Sequence, residues 1–184
     1  MLDEKELIQI EQVIRSGGVI AYPTESVFGL GCDPFNKDAV MKLLEIKNRP
    51  VEQGLILIAS NINQVIRLIN PLDGNDLARA LKTWPGHFTW IFPKSSLVPN
   101  WVSGSHNTIA IRVSKHPIVK QLCEKLGHAI VSTSANVSKQ DDLKSIIDIK
   151  TVFNDKIQFY INAPTGNKKH ASTIRDAHTL QILR

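Results

Sequence analysis

Only two cysteines occur in the 184 residues, Cys32 and Cys123, too few for a disulfide framework. Cys123 falls in an apolar helical pattern with Val119, Leu122 and Leu126, which suits a buried thiol. The six histidines are scattered, and none stands at metal-ligand spacing from a cysteine or carboxylate, so no structural zinc site is expected. No stretch reaches the roughly 18 apolar residues of a membrane span. The first residues, Met1-Leu2-Asp3-Glu4-Lys5-Glu6, are acidic rather than signal-like, so no membrane partner and a cytoplasmic location are expected. Two phosphate-binding motifs are missing as well: a Gly-rich loop ending in Gly-Lys-Ser/Thr, and Gly-x-Gly-x-x-Gly after a strand. ATP binding, if present, must use another route. Internal repeats and long low-complexity linkers are also lacking.

What is present is an ordinary globular composition, 42% hydrophobic and 21% charged, in a length that suits one domain, residues 1–184. A chain this size buries roughly 70% of its unfolded surface, enough for a sizeable core. The formal charge of +5 favours anionic partners without choosing among nucleotides, RNA and phosphorylated metabolites.

Helical and extended patterns alternate, which predicts an α/β domain. Asp3 can cap a helix bearing Leu7, Ile10, Val13 and Ile14 and ending at Gly17 and Gly18. A strand at 19–22 stops at Pro23, and a helix at 40–47 leads to a strand at 55–59. Asn61 can cap a further helix carrying Ile62, Val65, Ile66 and Ile69. Leu77, Ala80, Leu81 and Trp84 form another helical stripe. Strands follow at 88–92, 109–113 and 129–131, with a helix opened by Pro117 and ended by Gly127. A helix around 146–153, a strand around 157–161 and a hairpin over 173–183 complete the chain. The segments 138–142 and 165–170 read as exposed loops.

Four polar features interrupt this pattern. Lys47 continues the apolar stripe of Val40, Leu43 and Leu44, so it leaves the helix on its core side, while Pro50 forces the helix to stop and biases Arg49 toward extended backbone. Two cations at a helix-to-strand junction suit an anionic ligand; the plainer reading is that Lys47 complements the helix dipole. Thr24, Glu25 and Ser26 follow one strand end, and Ser132-Thr133-Ser134-Ala135-Asn136 follows another, where open α/β sheets place ligands. Turn chemistry or helix capping explains each alone. Arg112 points opposite Ile111 and Val113 in its strand, as a ligand contact or half of a buried ion pair.

Taken together and in order, several segments resemble one family. They are Val-Ile-Ala-Tyr-Pro-Thr-Glu-Ser-Val-Phe-Gly-Leu-Gly-Cys-Asp-Pro (19–34), Lys-Asn-Arg-Pro (47–50), Gly-Leu-Ile-Leu-Ile-Ala (54–59) and Trp-Pro-Gly-His-Phe-Thr (84–89). Ile-Ala-Ile-Arg-Val-Ser-Lys-His-Pro (109–117), Val-Ser-Thr-Ser-Ala-Asn (131–136) and Ser-Thr-Ile-Arg-Asp (172–176) complete the set. They are similar to the YrdC/TsaC family of threonylcarbamoyl-AMP synthases. The resemblance implies a twisted mixed parallel and antiparallel sheet flanked by helices, with a concave basic face. It also implies condensation of L-threonine, bicarbonate or CO₂ and ATP into an adenylate, with pyrophosphate released. The product would serve threonylcarbamoyladenosine formation in tRNA through partner proteins that transfer the group.

Carried over by residue, the resemblance implies that Lys47 and Arg49 bind the triphosphate and act in catalysis. Thr108, Ser132, Ser134, Asn136 and Arg184 would line the nucleotide site. Thr24, Ser26, Arg112 and Ser172 would hold threonine, with Arg112 on its carboxylate. Mg²⁺ is expected, held mainly by phosphates and water, with no protein metal ligand. Ser26 stands where many relatives have Thr, and Lys139 where Gly is usual. Ile58 replaces a His of longer two-domain relatives, removing a possible threonine contact, and the chain reads as the short form without their extra domain. An alternative is an RNA-binding or ribosome-maturation factor gripping tRNA or double-stranded RNA. Against it, no dense Lys/Arg stripe is interleaved with aromatics. A different ATP-using ligase is a third reading.

Overall fold

The computed structural model describes residues 1–138, 143 and 145–184; the departure at Lys139 and most of the loop expected at 138–142 lie outside them. The first helix, α1 (Glu4–Arg15), begins as expected at Asp3. The Asp3 carboxylate accepts from the Glu6 amide at 2.8 Å, and the Glu6 carboxylate accepts from the Asp3 amide at 3.0 Å. This reciprocal cap satisfies two otherwise orphaned donors. Next come β1 (Ile20–Pro23), β2 (Phe28–Gly31), α2 (Lys37–Lys47) and β3 (Ile56–Ala59). They are followed by α3 (Gly74–Leu81), β4 (Phe88–Pro93), α4 (Asn100–Ser103), β5 (Thr108–Val113) and α5 (Pro117–Leu126). The chain finishes with β6 (Ile130–Ser134), α6 (Ile146–Phe153), β7 (Phe159–Tyr160) and β8 (Thr173–Asp176).

Among the described residues the strands form one eight-stranded sheet in the order β7-β1-β2-β6-β3-β5-β4-β8. Pairing is parallel for β1/β7, β3/β5 and β4/β8 and antiparallel for β1/β2, β2/β6, β3/β6 and β4/β5, so the mixed α/β expectation holds. At the β1/β2 pair the Tyr22 ring lies across Gly29 and Gly31. A Cβ on Gly31 would meet Tyr22 Cε1 at 2.8 Å and the Val131 carbonyl at 2.5 Å. Glycine is therefore required for the strands to close over the ring. No helix among the described residues is long and apolar enough to cross a membrane.

The two faces of the sheet are covered differently. Leu57, Ile109, Ile111, Val113, Trp90, Phe92 and Val131 point to the face carrying the larger core, with Leu43, Ala80, Val102 and Phe153 from the helices. On the opposite face α1 and α5 cover only one end, packing Leu7, Ile10, Ile14, Val119 and Leu122 onto Ile20, Tyr22, Ile58 and Ile130. Period-two alternation carries the same face onward from Ile58 to Ile56 and from Ile130 to Ser132 and Ser134, beyond the reach of those helices. That uncovered end is a hollow.

Three expectations need correction. The helix expected over 61–69 is a pair of 3-10 turns, Ile62–Gln64 and Ile66–Leu68, although Asn61 caps the first by accepting from the Asn63 amide at 3.0 Å. Ile62, Val65, Ile66 and Ile69 are poor helix formers, and Ile69 is committed to a bridge with Lys94 at the end of β4. Ser132, Thr133 and Ser134 belong to β6 rather than to a turn after it, because β2 and β3 pair with them from both sides. The strand expected at 157–161 is only Phe159–Tyr160. The terminal hairpin does form, with a return arm in which the Leu183 amide donates to the Ile174 carbonyl and the Ile174 amide donates to the Arg184 carbonyl, both at 2.9 Å.

Candidate active site

The hollow encloses about 680 Å³ and joins a second cavity of about 500 Å³; Arg49, Gln53, Thr133, Ser134 and Asn136 line both. Its floor is the uncovered sheet face: Thr108, Ala110 and Arg112 of β5, Thr89 and Ile91 of β4, Ile56 of β3, Ser132 and Ser134 of β6, and Ile174 of β8. The expected residues Thr24, Ser26, Arg49, Thr108, Arg112, Ser132, Ser134, Asn136, Ser172 and Arg184 all line it. Lys47 lines only the adjoining cavity.

One end is built around Arg112. Its side chain is nearly buried, its Nη2 lies 3.5 Å from Glu25 Oε2, and its Nε is buried without a hydrogen-bond partner. The ion pair and the ligand contact anticipated for this residue are compatible, because a guanidinium has donors on several edges. Thr24 closes its own loop, donating its hydroxyl to the Val27 carbonyl at 2.7 Å. The Ser172 hydroxyl meets the Thr89 hydroxyl at 2.8 Å, both residues being buried. Ser26 is half-buried at the rim. Burial acts to raise the Glu25 carboxyl, but Arg112, the Ser114 hydroxyl and backbone amides outweigh it and leave the group below the usual glutamate range. Burial holds His87 and His116, both close enough to feel Glu25 and Arg112, below the usual histidine range.

The other end is cationic. Asn48 ends α2 in the left-handed conformation (φ 50°), and Pro50 is extended, so the helix stops ahead of the proline, as expected. Lys47 is only 2% exposed. Its ammonium donates to the carbonyls of Ser134 and Asn136 at 2.5 and 2.6 Å and to Asn136 Oδ1 at 2.8 Å, while the Ser134 hydroxyl donates to the same Oδ1 at 2.7 Å. It thus clamps the end of β6 to the end of α2. Arg49 donates Nη2 to the Gly54 carbonyl at 2.8 Å, and its Nε is buried without a hydrogen-bond partner. Burial first, and then the nearby Arg184 guanidinium, lower the Arg49 pKa. The return arm of the terminal hairpin delivers Arg184, whose Nε donates to the Ser172 carbonyl at 3.4 Å. Two guanidiniums held near each other against their own repulsion have the chemistry to pair with a polyanion.

Sequence reasoning missed several lining residues. Thr89 was legible as the one hydroxyl inside an apolar strand. Gln53 and His106 carry no local signal; only the fold brings them to the hollow. Ile58 is fully buried under α1 and α5, so it does not line the hollow. Among the described residues no aspartate or glutamate side chain lines either cavity; the lining hydroxyls, amides and guanidiniums suit phosphate oxygens rather than a bare Mg²⁺ ion. The one cluster with metal-ligand geometry among the described residues, Asp73, Asp76 and His178, lies outside the hollow. It is produced by tertiary contact, not by spacing. There Asp73 and Asp76 cap α3, and Asp76 pairs with Arg79 at 3.2 Å. Both cysteines are buried thiols, and burial pushes Cys123 up to about 12, so neither is a nucleophile at neutral pH.

Residues 12–184 match the pattern of the Sua5/YciO/YrdC family, described as telomere recombination. A threonylcarbamoyl-AMP synthase of Coxiella burnetii (strain RSA 493 / Nine Mile phase I) is 49% identical over 171 residues, spanning 93% of this chain and 92% of its own length. The protein of the same name from Pseudoalteromonas translucida is 43% identical over 188 residues, covering 100% of both chains. The crystal structure of P. abyssi Sua5 complexed with L-threonine is similar at a TM-score of 0.89 and 30% identity, over 96% of this chain and 52% of that one. This chain thus spans about half of that Sua5. E. coli YciO is similar at a TM-score of 0.87 and 26% identity, covering 100% of this chain and 90% of its own. By these matches over nearly its whole length, this chain belongs to the Sua5/YciO/YrdC family.

Proposed function

We propose that this protein, acting as a single domain over residues 1–184, is a threonylcarbamoyl-AMP synthase that condenses L-threonine, bicarbonate and ATP, with release of pyrophosphate. The observation that carries this reading is one hollow lined by three guanidiniums: Arg112, which pairs with Glu25, and Arg49 and Arg184, which lie near each other. A strand advances about 3.4 Å per residue, so Thr108 and Arg112 stand roughly 14 Å apart along β5, about the reach of an amino acid joined through a carbamate to an adenylate. Ala110 lies between them and leaves room for the junction.

In this reading Arg112 takes the threonine carboxylate, with Thr24, Ser26 and Ser172 around the amino acid. Thr108, Ser132, Ser134 and Asn136 line the nucleotide side, where Arg49 and Arg184 meet the triphosphate. Lys47 holds the Ser134–Asn136 turn and faces the adjoining cavity, which receives the departing phosphates. The threonine amine takes up CO₂ derived from bicarbonate, forming an N–C bond and losing a proton. A carbamate oxygen then attacks the α-phosphorus, and the bond to pyrophosphate breaks. No protein nucleophile is required. The protein's contribution is to hold two anions in line and offset charge on the leaving group. Mg²⁺ carried by the triphosphate would add to that charge offset. The product would pass to tRNA-modification proteins, a cytoplasmic role.

The test is pyrophosphate release from ATP. It is expected to require threonine and bicarbonate together; release that ignores threonine would overturn the reading. Thermal stabilisation by tRNA or duplex RNA, salt-sensitive and without any response to ATP plus threonine, would favour the RNA-binding alternative.

A further inference from the structure

Glu25 is 4% exposed and does not line the hollow, yet it touches most of what shapes the amino-acid end. Its Oε1 accepts from the Ser114 hydroxyl at 2.7 Å and from the Lys115 amide at 3.2 Å. Those two donors lock the carboxylate, so Oε2 is left facing Arg112 Nη2 at 3.5 Å with no hydrogen bond of its own. The backbone is held too. The Glu25 carbonyl accepts from the Lys168 amide, and the Thr24 carbonyl from the Gly166 amide, both at 2.9 Å. A Cβ on Gly166 would lie 2.7 Å from the Glu25 carbonyl, so only glycine lets that segment approach. The segment leads on to Ser172 at the hollow.

Arg112 is less well fixed. Its guanidinium is nearly buried, Glu25 is its one acidic partner among the described residues, and its buried Nε has no hydrogen-bond partner there. A planar guanidinium recognises a carboxylate in one orientation, so something must set the plane. Resting on the function proposed above, we propose that Glu25 is a positioning residue: its ion pair holds the Arg112 guanidinium so that the carboxylate of the amino-acid substrate meets it in one geometry. The competing role is a plain counterion, which would only cancel part of the charge on Arg112. The two roles predict opposite signs. Removing a counterion strengthens attraction for a carboxylate, whereas removing a brace weakens it and blurs its selectivity.

The experiment measures binding and turnover for wild type, Glu25→Gln, Glu25→Asp and Ser114→Ala, with L-threonine and with L-threoninamide, whose carboxylate is replaced by a neutral amide. For Glu25→Gln we expect KM for threonine to rise about ten- to hundredfold, KM for ATP to stay within about twofold, and the preference for threonine over its amide to collapse. Glu25→Asp should restore part of that preference. Ser114→Ala, which frees Oε1 without removing charge, should give a smaller shift of the same kind, and it serves alone if Glu25→Gln does not fold. Unchanged or tighter threonine binding in folded Glu25→Gln or Ser114→Ala overturns the positioning role, as does equal weakening of threonine, amide and ATP. Failure of the wild type to bind threonine would instead refute the underlying function.

Discussion

One sheet face serves two purposes along its length. Under α1 and α5 it presents Ile20, Tyr22, Ile58 and Ile130, fully buried and apolar. Further along β6, and on the neighbouring β5 and β4, it presents Ser132, Ser134, Thr108, Arg112 and Thr89 around an open hollow. The covered half gains stability from area removed from water. The bare half forgoes that area and keeps buried polar groups whose hydrogen-bonding atoms are only partly matched, donors at Arg112 and Arg49 and an acceptor at Glu25. Such groups are costly unless a ligand completes them. The contrast singles out the candidate site without any motif: it is where the helices stop and the alternation continues.

The sharpest way to break this contrast is within the covered half. Ile58→Ala should cost about 2–5 kcal/mol of stability in denaturant titration. At temperatures where the variant is folded, kcat/KM should stay within about twofold; a large loss there would show that the two halves are not separable. In the bare half the pattern should invert. Lys47→Ala is expected to lower pyrophosphate release about a hundredfold and Arg49→Ala about tenfold or more. Arg49, half-buried at the rim, should leave the unfolding midpoint nearly unchanged, whereas Lys47, buried on three acceptors, should lower it as well. Equal stability losses for the two would argue against the clamp.

Ala110→Leu sharpens the comparison from another side. A larger side chain between the two ends should let threonine and ATP bind singly, each within a few-fold of wild type, while the condensation drops by about tenfold or more. If the rate is unaffected, the substrates do not meet over Ala110. The smallest expected effect is that of acid. His87 and His116 have depressed folded-state values, so the unfolded chain takes up protons first; stability falls as the pH drops below the ordinary histidine value of 6.5. Glu25 is likewise depressed, and its contribution is lost as the pH falls below the ordinary 4.5. These groups cluster around the bare half, so amide exchange of residues 166–172 should accelerate on acidification before that of α1 or α5. Uniform acceleration would contradict the clustering.

Much of this was legible along the chain, and for local reasons. Asp3, Pro117 and Gly127 mark helix ends because they satisfy or terminate backbone hydrogen bonding within one turn. The inward path of Lys47 followed from its place on the Val40, Leu43 and Leu44 stripe. The turns at 62–69 were misread because a helical spacing of β-branched residues ignored the bridge that captures Ile69. Glu25 passed as turn chemistry because its partner Ser114 stands 89 residues away.

By itself, then, the chain determined where several of its helices start and stop and which residues of its apolar stripes face inward, since capping, periodicity and proline act over a few residues. Tertiary structure alone decided that Ser132 to Ser134 would be a strand, that Glu25 would reach Arg112, and that Arg49 would approach Arg184. Those outcomes depend on which strands become neighbours and how far α1 and α5 extend over them, and distance in sequence carries no record of either.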